Sequence, residues 1–174
     1  MVNLKLTSSA FEDGGEIPRE CGYKNGNEDP PLAISGISEG TESLALIMDD
    51  PDAMGAVGKV WVHWVAWNIS PPYASYFDSH GKMLDSDNRT WNGVWMEPPP
   101  GIKPWGQTEG TTDFGEVGYG GPAPPDKRHT YVFKLYALDC ELELAGAEAT
   151  KADVEKAMEG HIIEQTQLTG TYAP

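Results

Sequence analysis

Glycine and proline interrupt this chain so often that only short elements of regular structure fit between them. The 174 residues include 20 glycines and 14 prolines, spread along the whole length rather than gathered in one tract. Between them lie three apolar segments rich in β-branched and aromatic side chains, at residues 43–49, 60–69 and 129–139. That composition is typical of buried strands. We therefore expect a single β-rich domain over residues 1–174.

The predicted strands sort their side chains onto two faces, because successive residues of a strand point in opposite directions. In the second and third segments, a histidine lies near the start of a face that is otherwise apolar. Weaker strand candidates are residues 7–11 and 31–37. One face of the second segment carries Trp61, His63, Val65, Trp67 and Ile69, and one face of the third carries His129, Tyr131, Phe133, Leu135 and Ala137.

The C-terminal part of the chain predicts one helix. Thr150 and Asp153 have the spacing of a capping box, in which each side chain satisfies a free backbone N–H of the first turn. Gly160 suits the left-handed conformation that follows many helices. Residues 161–172 contain enough threonine and isoleucine for a final strand.

Residues 70–121 lose periodicity and contain many prolines and glycines. We expect a long surface excursion here, with one hairpin around residues 91–95. Segments of this length without regular structure are usually functional or mobile. Trp91, Trp95 and Trp105 could supply a protein interface or close a small local core.

The net charge of −15 excludes several classes of partner. Such a surface repels nucleic acid and anionic membranes, and no apolar run approaches the roughly 18 residues of a membrane span. No secretory signal is visible, so we expect a cytoplasmic protein without stable membrane insertion. Cys21 and Cys140 are the only cysteines, lack the spacing of a zinc motif, and are expected to be free thiols.

Four short motifs could carry chemistry, although each alone has an ordinary structural interpretation. Asp50-Pro51-Asp52 is a stiff turn that carries two carboxylates, preceded by Asp49. His63 lies in an apolar strand, and His129 enters another strand two residues before Tyr131. Residues 118–125 (GYGGPAPP) form a rigid loop that permits close approach of a ligand, without the Lys-Ser/Thr of a P-loop.

Taken in order, these motifs resemble the phosphatidylethanolamine-binding protein family, in particular its bacterial and archaeal Raf-kinase-inhibitor-like branch. His63 follows Asp52 by 11 residues, and the resemblance continues to the Leu-Thr-Gly-Thr-Tyr that ends at Tyr172. It implies an antiparallel β-sandwich-like fold and a small pocket that binds anions. Matched residue by residue, it implies a pocket formed by Asp50, Asp52, His63, His129 and Tyr131 and lined by Trp61, Pro51 and Pro124.

The chain also departs from the family pattern near this pocket. Ala123 replaces a cysteine common in the prokaryotic branch, and Thr130 stands where arginine is usual. Residues 126–128 (DKR) replace a glycine-containing approach to the second histidine. Gly58 and Met54 also differ from the usual residues. These differences bear on the identity of the ligand more than on the presence of a pocket.

Three functions remain open at this stage. The first is a non-catalytic, regulatory module that binds phosphate, a phosphoryl head group or a carboxylate, with no cofactor and no metal. Its histidines would donate N–H groups, so its affinity should be weak and fall as the pH rises through the histidine range. The second is a metal-dependent or acid–base hydrolase that uses the same His/Asp cluster. The third is a kinase or protease inhibitor that acts through residues 70–121 on an unknown protein partner. A homodimer is also possible.

Overall fold

The computed structural model describes residues 4–69 and 108–174, together with the backbone of residues 83–84, 90–91 and 94–95. These parts are mainly β, as expected. In chain order the elements are β1 (Lys5–Thr7), β2 (Gly15–Glu16), a 3-10 turn (Arg19–Cys21), β3 (Ala33–Ser35), β4 (Ser43–Asp50), α1 (Ala53–Val57), β5 (Trp61–Ile69), β6 (Met83–Leu84), β7 (Thr90–Trp91), β8 (Val94–Trp95), β9 (Thr108–Glu109), β10 (His129–Leu138), α2 (Lys151–Met158) and β11 (Ile162–Tyr172).

The central sheet has the strand order β2-β11-β10-β4-β5-β9. Each of its four long strands is antiparallel to its long neighbours, and only the short β2 runs parallel to its neighbour β11. The strands of a second sheet follow the order β1-β3-β8. All eight residues of β4 are buried, so this strand has core on both faces and explains the unbroken apolar run seen in the sequence.

Two hydrophobic clusters pack on opposite faces of the central sheet. On one face, Met48 and Phe133 belong to a cluster that also contains Leu6 and Ile34 of the second sheet. On the other face, Ile47 and Trp67 pack with a cluster that includes Val154 of α2. The alternation along β4 therefore separates a sheet-against-sheet core from a sheet-against-helix core.

Strand β5 departs from simple alternation at two places. Asp49 pairs with Val62 and Met48 pairs with Trp64, so His63 is an extra residue in β5 and forms a bulge. A second extra residue lies between Ala66, which pairs with Leu46, and Ile69, which pairs with Leu44. Asn68, at the second bulge, has a φ of 52°. The predicted face is therefore wrong in part. Val65 and Trp67 pack in the cluster that contains α2, whereas Trp64, Ala66 and Ile69 join the opposite cluster.

Strand β10 alternates as predicted, since Tyr131, Phe133, Leu135 and Ala137 all lie in one cluster. Helix α2 also follows the prediction. The backbone N–H of Thr150 donates to Asp153 Oδ2 at 2.8 Å, completing the capping box. Gly160 has a φ of 80°, and the last strand begins two residues later. Neither Cys21 nor Cys140 forms a disulfide, also as expected.

Three weaker predictions fare differently. The strand at residues 7–11 is wrong, because β1 ends at Thr7 and the Ser8 hydroxyl accepts from the backbone N–H of Ala10 in a bend. The strand at 31–37 is reduced to β3. Trp91 pairs with Met83 and Trp95 with Ile34, so the two tryptophans lie in different sheets rather than in one hairpin. The rest of the excursion before residue 108 lies outside the described residues.

Candidate functional site

The ends of three neighbouring strands bring the predicted site residues together. The pair Val132↔Asp49 aligns the start of β10 with the end of β4, and Asp50↔Trp61 aligns that end with the start of β5. His63 and His129 consequently both lie beside Tyr131. The ring centroid of Tyr131 is 5.1 Å from that of His63 and 6.4 Å from that of His129. The two histidines, distant in sequence, thus meet at one edge of the core.

His129 is buried between two carboxylates. Its Nδ1 donates to Asp50 Oδ2 at 2.6 Å, and its Nε2 donates to Asp126 Oδ1 at 2.8 Å. Burial alone would lower the pKa of His129, but the hydrogen bonds to Asp50 and Asp126 outweigh burial and raise it. The hydrogen bond from His129 in turn lowers the pKa of Asp126. This arrangement favours an imidazolium with both N–H groups engaged.

His63 is held as a neutral imidazole. Its Nδ1 donates to the carbonyl oxygen of Gly120 at 2.6 Å, and burial lowers the pKa of the ring. In this tautomer Nε2 carries a lone pair and no proton. The ring also packs edge-on against Phe114, with 5.3 Å between ring centroids. The two histidines of the site therefore differ in charge because their surroundings differ.

The glycine pair in the loop after β9 permits these contacts. A Cβ on Gly120 would lie 2.5 Å from the ring of Phe114, and a Cβ on Gly121 would lie 2.0 Å from the carbonyl oxygen of Cys21. Neither position has room for a side chain. The sequence motif that predicted a tight approach thus has its physical explanation in packing against His63 and the Arg19–Cys21 turn.

The two aspartates that flank Pro51 have separate roles. Asp50 is buried, and its Oδ1 accepts from the backbone N–H of Ala53 at 3.1 Å while Oδ2 holds His129. Asp52 is exposed, and its Oδ2 accepts from the backbone N–H of Thr130 at 2.8 Å. Asp52 thereby fixes the start of β10 beside the turn, which keeps His129 in place.

A small cavity of about 220 Å³ opens at this point. Its walls are largely apolar and come from α1, β5 and the loops on either side of residue 120. In its wall, the buried Trp61 Nε1 has no hydrogen-bond partner among the described residues, and the Tyr131 hydroxyl has no well-formed one, although Asp50 and the backbone of Ala123 lie close to it. Burial and then the charge of Asp50 raise the pKa of Tyr131, so this hydroxyl keeps its proton. The residues that line the cavity are Asp50, Ala53, Ala56, Val57, Trp61, His63, Phe114, Ala123 and Pro125.

Among the sequence-predicted residues, Asp50, Trp61 and His63 line the cavity directly. His129 and Tyr131 are fully buried next to it, in contact with Asp50 and His63. The structure places Pro51 on the exposed turn and Pro124 in the buried part of the loop before β10. The ligand-binding role of all these residues remains a prediction.

The sequence did not predict that Phe114, Asp126 and α1 take part in the candidate site. The motif Asp113-Phe114-Gly115 was visible, but nothing in its spacing connects it to His63. Asp113 Oδ2 accepts from the backbone N–H of Val62 at 2.8 Å, which brings Phe114 over the start of β5. Asp126 lies three residues before His129, and that spacing was the one available signal of a contact.

Comparison with known proteins gives this arrangement a context. A model of the family described as phosphatidylethanolamine-binding protein matches residues 7–173. This chain belongs to that family. It is 41% identical to the UPF0098 protein of Methanothermobacter thermautotrophicus, over 97% of this chain and 98% of that protein. It is 39% identical to a UPF0098 protein of Pyrococcus horikoshii, over 98% of this chain and 77% of that one.

Solved structures of family members have the same fold. A phosphatidylethanolamine-binding protein homolog from Chlamydia trachomatis matches with a TM-score of 0.77 and 31% identity, covering 99% of this chain and 98% of the other. Escherichia coli YbcL, described as a new member of the mammalian family, matches with a TM-score of 0.76 and 27% identity over 97% of each chain. The resemblance inferred from the motifs is therefore confirmed for the family and its fold. In the described part of this family member, no helix is long and apolar enough to cross a membrane.

Proposed function

We propose that the cavity beside His63 binds a small anion, with a phosphoryl or carboxylate group, and that the protein acts as a regulatory binding module rather than as an enzyme. The observation that carries this proposal is the buried Trp61 Nε1 of the cavity wall, which has no hydrogen-bond partner among the described residues. A buried donor without a partner costs free energy, and a ligand oxygen would remove that cost. The apolar walls would strengthen each such hydrogen bond.

The charges around the cavity determine which protonation state of the site and the ligand permits binding. His129 contributes one positive charge, while Asp50 and Asp126 contribute two negative charges, and His63 is neutral. A fully ionised ligand would therefore meet net repulsion. Binding becomes favourable when His63 Nε2 takes up a proton and donates to the ligand, or when the ligand carries its own proton.

Proton uptake gives the affinity a definite pH dependence. The pKa of His63 in the empty site is lowered by burial, below its ordinary value of 6.5. An anion beside Nε2 favours the charged ring and raises that pKa in the complex. The affinity should be greatest below the lower pKa and should fall as the pH rises to the higher one. Acetate is the cleaner probe for this test, because carboxyl groups titrate near about pH 4 and stay ionised over the relevant range.

The same geometry argues against the hydrolase alternative. Both nitrogens of His129 donate to carboxylates, and Nδ1 of His63 donates to Gly120, so among the nitrogens of the two imidazoles only His63 Nε2 has a lone pair available for a metal or for proton abstraction. Among the described residues, no group of three potential metal ligands lies at this cavity. The inhibitor alternative depends on residues 70–121, most of which lie outside the described residues.

Isothermal titration with inorganic phosphate and with acetate, at pH 6 and pH 8, tests the proposal. Trp61→Phe keeps an aromatic side chain but loses the pyrrole part of the indole together with its N–H, and we expect it to lower the affinity on the order of tenfold, the loss typical of a hydrogen bond to a charged group. Trp64→Phe is the matched control, because Trp64 Nε1 donates to Glu109 instead, at 3.1 Å. Unchanged affinity in Trp61→Phe, or equal losses in both variants, would refute the cavity as the anion site.

A further inference from the structure

Three metal-binding side chains meet at the opposite end of β10 from the anion cavity. Asp139 and Cys140 directly follow β10, and His161 directly precedes β11. One donor atom from each lies within 4.8 Å of the other two. Because a strand rises about 3.3 Å per residue, the ten residues of β10 place this group roughly 30 Å from His129. It shares no residue with the proposed anion site.

The backbone that carries the three side chains is held by hydrogen bonds. The N–H of Asp139 donates to the carbonyl of His161 at 3.0 Å, which ties the two segments together directly. The carbonyl of Cys140 accepts from the Ser43 hydroxyl at 2.5 Å. The His161 N–H also donates to Met158 at the end of α2, at 2.9 Å. The ligand atoms therefore project from a corner whose main chain is already organised.

We propose that Asp139, Cys140 and His161 bind a single zinc ion. A thiolate, an imidazole and a carboxylate are the ligands that zinc takes in proteins, whereas calcium and magnesium select oxygen ligands only. Three protein ligands leave the fourth tetrahedral position to water, which suits a corner where Asp139 and His161 are exposed. Glu42 and Asp139 place negative charge beside the Cys140 thiol, and the net charge of −15 favours a divalent cation over an anion here.

Only small movements are needed to form the site. His161 Nδ1 lies 2.7 Å from Asp139 Oδ1, which is closer than two ligands of one tetrahedral zinc ion at about 2.0–2.2 Å from each can be. These two side chains must separate slightly, and both are about half exposed, at 47% and 52%. Cys140 must release its thiol proton on binding, as thiolate ligands of zinc do. The sequence showed no zinc spacing because the third ligand follows Cys140 by 21 residues.

Cobalt(II) and zinc(II) titrations of protein without a histidine tag test this inference. We expect one equivalent of Co²⁺ to bind with a thiolate-to-cobalt charge-transfer band, and Zn²⁺ to displace it. Cys140→Ser should abolish the band, and His161→Gln and Asp139→Asn should weaken Zn²⁺ binding about tenfold or more. Cys21→Ala is the matched control, because Cys21 is the other cysteine and is buried elsewhere. Asp139, Cys140 and His161 are at least partly exposed, so their variants should fold, and circular dichroism would verify this for all four variants.

Thermal unfolding supplies a second, independent measurement. Zn²⁺ that binds only the folded protein should raise the Tm of the wild type and of Cys21→Ala, but not that of Cys140→Ser. The inference is overturned if no charge-transfer band forms, if the band survives in Cys140→Ser, or if zinc raises the Tm of all variants equally. None of these outcomes bears on phosphate or acetate binding at the other end of the strand.

Discussion

Asp126 occupies the hydrogen-bonding position that an anion at His129 would need. The two carboxylates on this ring differ in exposure, since the side chain of Asp50 is 4% exposed and that of Asp126 is 47% exposed. Asp50 is fixed by burial and by its hydrogen bond from Ala53, whereas Asp126 can rotate into solvent. We infer that Asp126 competes with the ligand and that Asp50 stays in place to orient the ring.

Replacing the competing carboxylate should therefore strengthen anion binding. Asp126→Ala removes one negative charge and frees His129 Nε2, so we expect the affinity for phosphate and acetate to rise on the order of fivefold at pH 6. Isothermal titration measures the change directly. Asp29→Ala is the control, because Asp29 is an exposed aspartate that does not line the cavity and gives the same change in net charge. A weaker or unchanged affinity in Asp126→Ala would contradict competition.

At this scale the sequence predicted residue identities better than it predicted contacts. The order of motifs brought His63, His129 and Asp50 into one proposed pocket, and they do lie together. The engagement of His129 Nε2 by Asp126 was not foreseen, because a loop carboxylate three residues before a strand can point in many directions. The different protonation of the two histidines also depends on partners, Gly120 and Asp50, that only the tertiary structure supplies.

Helix α2 is fastened to the central sheet by a buried ion cluster. Asp49 Oδ2 accepts from Lys134 Nζ of β10 at 2.9 Å and from Lys151 Nζ of α2 at 2.8 Å. Asp49 is buried, and its other carboxylate oxygen has no partner among the described residues. Burial alone would lower the pKa of Lys151, but the contact with Asp49 raises it. The first residue of α2 thus contributes a charge to the sheet it packs against.

Replacing Asp49, which contacts both lysines, should lower the free energy of unfolding more than replacing Lys151, which contacts only Asp49 in this cluster. Asp49→Asn leaves two ammonium groups beside a partly buried neutral amide, and we expect it to lower the free energy of unfolding by about 3 kcal/mol. Lys151→Gln leaves Asp49 paired with Lys134 and should lower it by only about 1 kcal/mol. Urea unfolding at neutral pH measures both variants. Equal losses of unfolding free energy in the two variants would show that the contact of Asp49 with Lys134 contributes little to stability.

The predictability of the elements depended on how regular each one is. Strand β10 and helix α2 follow their periods without interruption, so alternation and the capping box located them well. Strand β5 contains two bulges, at His63 and Asn68, and neither residue marks a bulge by its chemistry. An extra residue in a strand arises from pairing with its neighbours, and a single segment of sequence contains no record of that pairing.

The whole molecule carries far more negative than positive charge. Its sequence contains 27 acidic and 12 basic residues, and several of the basic ones are already engaged, as Lys134 and Lys151 are with Asp49. The remaining acidic side chains repel one another across the surface. Self-repulsion of this kind raises the free energy of the compact state relative to the unfolded chain.

Screening that repulsion should stabilise the protein. Raising the ionic strength from about 0.01 M to about 0.15 M shortens the Debye length from about 30 Å to about 8 Å. If 1 kcal/mol of repulsion is relieved, the Tm should rise by about 2–4 °C for a chain of this size. Differential scanning calorimetry in sodium chloride and in choline chloride would measure the shift, and agreement between the two salts would exclude specific sodium binding. A falling Tm would show that the attractive ion pairs dominate instead.

Two consecutive aspartates in β4 serve opposite sides of the same sheet. Asp49 meets the lysines that hold α2, and Asp50 meets the imidazole of His129. A shift of one residue in the pairing of β4 with its neighbours would turn both carboxylates to the opposite face of the sheet. Each charge would then be buried in the hydrophobic core without its partner. The two adjacent aspartates therefore disfavour shifted registers of β4 that a strand of apolar side chains alone would tolerate.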